Sequence, residues 1–159
     1  MELYIKDKLF SLRRKASVYD QNGNTYFYIG GKMFSPTRKK SVYDINGEKL
    51  YTVRNKFFHI LPKAYIYDSE GEKILKIKKR FSFRQSFTIV NYKDEIKIDG
   101  DFIGWHFDVW KNGVLIGNIT KKIWALTDTF ILTINDDEDA ALFVAIIACI
   151  DNIFDQHNR

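Results

Sequence analysis

The chain has 159 residues, enough for one domain with a single core. Aromatic residues make up 16%, against two Pro and nine Gly, which excludes a disordered segment. The net charge of +5 leans toward anionic partners without requiring them, since many soluble domains carry such charge for solubility alone. The N-terminal stretch carries Glu2, Lys6, Asp7 and Lys8, so it lacks the apolar run of a secretory signal. A lone Cys149 can form neither an internal disulfide nor a cysteine-based zinc site, which fits a reducing compartment, and a cytoplasmic protein is expected.

Residues 9–80 divide into three consecutive 24-residue units: LFSLRRKASVYDQNGNTYFYIGGK, MFSPTRKKSVYDINGEKLYTVRNK and FFHILPKAYIYDSEGEKILKIKKR. Phe10, Phe34 and Phe58 recur in register, as do Lys15, Lys39 and Lys63, the pairs Tyr19-Asp20, Tyr43-Asp44 and Tyr67-Asp68, and Gly23, Gly47 and Gly71. Each unit reads as a β-hairpin in which alternating strands flank Asp-x-x-Gly. The Asp side chain accepts from the turn's own N–H groups and Gly supplies positive φ, so the repeated carboxylate is a turn residue. A calcium or catalytic reading would need more oxygens nearby. Alternation turns Phe27 and Ile29, Tyr51 and Val53, and Leu75 and Ile77 toward the core. Tyr28, Thr52, Arg54, Lys76 and Lys78 fall on the opposite face, which grows more basic along the chain.

After Arg80 the repeat ends but strand patterns continue at 86–92, 94–98, 102–111, 114–120 and 129–134. Asp99-Gly100 and Asn112-Gly113 read as two-residue hairpin turns. The total of about twelve short strands suits an antiparallel sandwich or barrel.

A helix is expected over 136–156. Asn135 with Glu138 resembles a capping box, and the acidic run suits the positive end of the helix dipole. From Ala140 to Ile150 the sequence AALFVAIIACI is apolar on every side, so the helix must be buried. Eleven residues span about 16 Å, short of the roughly 30 Å a membrane core needs. In an otherwise all-β chain the sheet must wrap around it, and closure also removes exposed edges. The expected fold is therefore a single all-β domain over 1–159: a closed antiparallel barrel enclosing one long C-terminal helix.

The repeated F-S-x-x-x-x-K-x-S-V-Y-D-x-x-G units, the Asn-Gly hairpin and the terminal apolar helix resemble the LURP-one-related family over nearly the whole chain. That family is similar to the tubby C-terminal domain and the phospholipid scramblases, and the resemblance implies a β-barrel around a hydrophobic C-terminal helix. The Y-D-x-x-G motif also resembles the YD repeats of bacterial toxins, but those run in long arrays without a terminal buried helix. Tubby relatives bind phosphoinositides through basic residues; the motifs shared here are turn and core positions, so no site residue transfers.

Catalysis finds few candidates. His59 and His157 stand apart, whereas His106, Asp108 and Trp110 share one strand face and form a weak acid–base pair without a nucleophile. Cys149 lies in the apolar helix, where burial raises its pKa and denies access. No phosphate loop, HExxH or GxSxG occurs, so neither an enzyme nor a cofactor is expected. Basic clusters do occur, and Arg14, Arg38 and Lys63, with Lys15 and Lys39, come from hairpins that lie side by side in a barrel. The expectation is an anion-binding rim for lipid headgroups, peripheral at the inner membrane surface. Phe34, Phe57 and Phe58 would add apolar tips. A protein-interaction scaffold and, less favoured, a nucleic-acid-binding domain are the alternatives.

Overall fold

The structure, a computed structural model, describes residues 1–6, 16–31, 38–56, 63–80, 85–90, 93–101, 105–123 and 128–155. In chain order the elements are β1 (Glu2–Lys6), β2 (Ala16–Tyr19), β3 (Thr25–Gly31), β4 (Lys40–Tyr43), β5 (Lys49–Lys56), β6 (Lys63–Tyr67), β7 (Lys73–Arg80), β8 (Gln85–Val90), β9 (Ile96–Asp101), β10 (His106–Lys111), β11 (Val114–Lys122), β12 (Thr129–Ile134) and α1 (Ala140–Asp155). Each strand pairs antiparallel with its neighbour in sequence, and β12 returns to β1, with Leu3 opposite Leu132, to close the barrel. No edge is left unpaired, which solves the problem twelve short strands would otherwise pose.

Alternation along the strands points Ile5, Val18, Val42, Ile66, Ile77 and Ile98 inward, all of them with no more than 1% exposure. They meet α1, whose residues from Ala140 to Ile153 are buried on every side. The helix is thus the core of the barrel, and the all-round apolar run is explained by that position. Of the repeat pairs expected to face inward, Ile29, Val53, Leu75 and Ile77 are buried, and Phe27 and Tyr51 are partly buried against the same core.

The two ends of the barrel differ. Odd-numbered strands begin at one end, which holds the turns 20–24, 44–48 and 68–72, the Asn112-Gly113 turn and the start of the helix. We call this the turn end. At the far end odd-numbered strands finish and the helix runs out, as shown by contacts from Asp151 and Asn152 to Lys40 and Arg38.

Three expectations need correction. Asp99-Gly100 is not a turn: both residues lie inside β9, opposite Asp108 and Phe107. Glycine is needed there because a Cβ at position 100 would come within 2.1 Å of the His106 carbonyl oxygen. The helix starts at Ala140, not at 136. Asp139 caps it through Oδ1, which accepts from the Leu142 N–H at 3.1 Å, while Glu138 is drawn away to the Lys111 ammonium at 2.9 Å. Thr52, assigned to the solvent face, is 6% exposed; its short side chain sits between Ser41 and the larger Tyr67 on neighbouring strands, 3.3 Å from the Ser41 hydroxyl.

Candidate anion-binding surface

The repeated carboxylates are consumed by their own turns. Asp20 Oδ1 accepts from the N–H groups of Asn22 at 2.8 Å and Asn24 at 2.9 Å, and Asp44 and Asp68 hold Asn46, Glu48, Glu70 and Glu72 in the same way. Gly23, Gly47 and Gly71 close these turns at φ 85°, 87° and 91°. The side-chain amide of Asn24 is the main reason that Asp20 titrates below the ordinary carboxylate range, with the backbone N–H groups adding to it.

His106 and Asp108 do meet, with Nε2 to Oδ1 at 3.4 Å, and the ring's Nδ1 lies 3.1 Å from Thr120 Oγ1. Both side chains stand on the outer face of the barrel, about half exposed, where solvent screens the pair. Cys149 is fully buried, and desolvation pushes its thiol far above its usual range. Among the described residues no group of His, Cys, Asp or Glu is placed to hold a metal ion. No described helix is long and apolar enough to cross a membrane.

The basic residues are arranged with more order. Arg14 and Lys15 lie outside the described residues, as do Phe34, Phe57 and Phe58. Arg38 and Lys39 lead into β4 and Lys63 opens β6, so these three stand at the same far end of the barrel. They differ in setting: Lys39 is exposed, whereas Arg38 has φ 41° and its carbonyl accepts from Asn152 Nδ2 at 3.2 Å. Lys63 pairs across the sheet with Lys56 and Lys78.

Sequence reading missed a polar cluster that anchors this end. Lys40 Nζ reaches Asp151 of the helix at 3.2 Å, and Asn152 Nδ2 donates to Asn55 Oδ1 at 2.9 Å, both carried by the helix just past its apolar run. The signal was present as the Asp151-Asn152 step that ends the apolar run. Lys121 is held likewise, its ammonium 4.5 Å from the Trp105 ring centre, 4.9 Å from that of Phe130 and 3.4 Å from Asp128. Just past it, Lys122 is exposed and Ile123 is 69% exposed, an apolar tip beside a cation.

Charge is therefore sorted along the barrel axis. The turn end gathers the carboxylates of the three repeat turns, Asp94, Glu95 and the run 136–139, around the positive end of the helix dipole. The far end gathers Lys6, Arg38, Lys39, Lys56, Lys63 and Lys122.

The comparisons with known proteins agree with this architecture. An X-ray structure of a protein from Arabidopsis thaliana superposes with a TM-score of 0.61 at 15% sequence identity, covering 99% of this chain and 92% of that one. At that identity the likeness is one of fold. No curated protein matches the chain in sequence. The LURP-one-related family matches residues 1–151, and the chain belongs to that family.

Proposed function

We propose that this protein is a non-catalytic binding module that docks the far end of its barrel on anionic phospholipid headgroups, as a peripheral protein at the cytoplasmic membrane surface. The observation that carries the reading is the sorting of charge along the axis, with the exposed tip of Ile123 set beside Lys122 at the basic end. A membrane-facing surface needs both: cations to approach the headgroups and an apolar tip to enter the interface. The acidic turn end would face away. Each cation contributes about 1 kcal/mol near such a surface, so a rim of Arg14, Lys15, Arg38, Lys39 and Lys63 gives weak but measurable binding.

Co-sedimentation with liposomes tests this. Vesicles containing anionic lipid should retain the protein and neutral ones should not. Charge reversal at Arg14, Arg38 and Lys63 together should abolish retention, and Ile123→Asp should weaken it. Since screening length falls from about 10 Å at 0.1 M to about 3 Å at 1 M salt, a diffuse rim is released by salt. Equal retention of parent and triple variant, or no retention of either, overturns the reading in favour of a protein-interaction scaffold.

A further inference from the structure

A second basic surface lies on the side of the barrel rather than at its end, and of its residues the lipid reading uses only Lys63. On the outer face of β5–β7 stand Arg54, Lys56, Lys63, Lys73, Lys76 and Lys78, and these three strands contain no Asp or Glu. Among the described residues, none of the six forms an ion pair with a carboxylate. The register lines them up. Lys56, Lys63, Lys78, Thr88 and Lys97 face one another across five adjacent strands, and Arg54, Tyr65 and Lys76 form a second row beside them. At about 4.8 Å between strands, the first row runs about 19 Å.

Tyr65 is the centre of this face. The ammonium groups of Lys73, Lys56 and Lys76 lie 5.0, 5.3 and 5.7 Å from its ring centre, and Arg54 lies 5.5 Å from the ring of the neighbouring Tyr67. Four like charges held around two aromatic rings repel one another unless an anion joins them. Among the described residues the face carries no apolar tip: the exposed large hydrophobics are Met1, Tyr26, Ile45, Val114, Leu115 and Ile123, and none of them lies on β5–β7. Its first carboxylate, Asp99, is already engaged by Lys97 at 2.9 Å and marks the border.

We infer that this face is a track for single-stranded nucleic acid. Phosphates would run along the lysine row across the strands while a base stacks against Tyr65, its ammonium neighbours moving aside to the phosphates. Rows of cations interleaved with aromatic rings are the chemistry that binds single strands without sequence preference. A duplex keeps its bases stacked inside and offers the ring nothing.

Fluorescence anisotropy with a labelled 20-mer of deoxythymidine tests the inference, with a duplex of equal length and inorganic polyphosphate as competitors. The parent should bind the single strand at least tenfold more tightly than the duplex at low salt. Tyr65→Leu should weaken the single strand about tenfold and leave polyphosphate unchanged, with Tyr65→Phe restoring the parent's affinity. Lys76→Glu with Lys78→Glu should weaken both ligands and flatten the salt dependence, by about 0.7 for each phosphate no longer neutralised. Unchanged melting temperatures exclude misfolding, and reversal of Arg14 with Arg38, which spares the shared Lys63, should leave single-strand binding as in the parent and so separates this face from the lipid rim. Equal affinity for the duplex, no binding by the parent, or no effect of Tyr65→Leu overturns the inference; the last outcome would leave a polyphosphate surface instead.

Discussion

The two ends of the barrel are built on different principles. At the turn end each of the three repeat turns is a local unit: Asp44 reaches the N–H groups of Asn46 and Glu48 at 2.9 and 2.8 Å, and nothing outside the hairpin is needed. At the far end the strands are tied to the helix instead, through Lys40 with Asp151 and Asn55 with Asn152. The far end therefore depends on the helix being in place, whereas the turns can form first. Order in the repeat turns is short-range, and order at the far end is a consequence of the completed core.

Substitutions can break this contrast, beginning with the helix itself. Ile147→Asp places an unpaired charge at a site with 1% exposure, which costs several kcal/mol against a total stability of about 5–15 kcal/mol. The variant is expected to lose its cooperative thermal transition; a soluble protein melting at the parent's temperature would contradict an enclosed helix. Asp151→Ala should act on the far end, costing about 1–3 kcal/mol because Lys40 loses the carboxylate and stays 13% exposed. Labelling of Cys149, two residues away and sealed in the parent, should speed up in that variant while hydrogen exchange at the repeat turns stays as slow as before. Lys40→Met combined with Asp151→Leu should recover most of the loss.

Smaller effects sharpen the other side of the contrast. Asp44→Ala removes the acceptor for two N–H groups in one exposed turn and should cost about 1 kcal/mol, with faster exchange confined to that hairpin. Acid should act on the turn end through Asp20, whose carboxyl is held below its ordinary range chiefly by Asn24. Its stabilisation is present above the unfolded value near 4 and is lost as pH falls through the lower, folded one. Asp20→Asn should then flatten the decline of stability below about pH 4, and an unchanged acid profile would remove the carboxylate from the account.

How much of this was legible in the chain depended on the range of the interactions. The three Asp-x-x-Gly turns and Asn112-Gly113 were readable because positive φ and side-chain acceptance are settled within a few residues. Asp99-Gly100 carries the same letters for another reason: Gly100 has no positive φ and serves to let β10 approach, which depends on a partner strand that spacing alone does not reveal. The helix start was misplaced by a similar ambiguity. Four consecutive acidic residues suit a first turn, but Lys111, contributed by β10, captures Glu138 and leaves Asp139 as the cap.

The candidate surfaces divide in the same way. Recurrence of Arg38, Lys39 and Lys63 in equivalent units placed them at one end of a hairpin array, while the pairing of Lys40 with Asp151 joins residues 111 apart in sequence. The lysine row across β5–β9 was visible only as a growing basic bias, because cross-strand register decides which cations are neighbours.

By itself, then, the sequence determined that the chain is a closed antiparallel barrel around a helix. Period-two alternation, self-contained turns and an apolar helix that no open sheet can cover leave no other arrangement. Only the tertiary structure decided where glycine serves contact rather than turning, which carboxylate caps the helix and which charges converge. Those outcomes depend on register and long-range approach, and side chains distant in the chain become partners only once the barrel has closed.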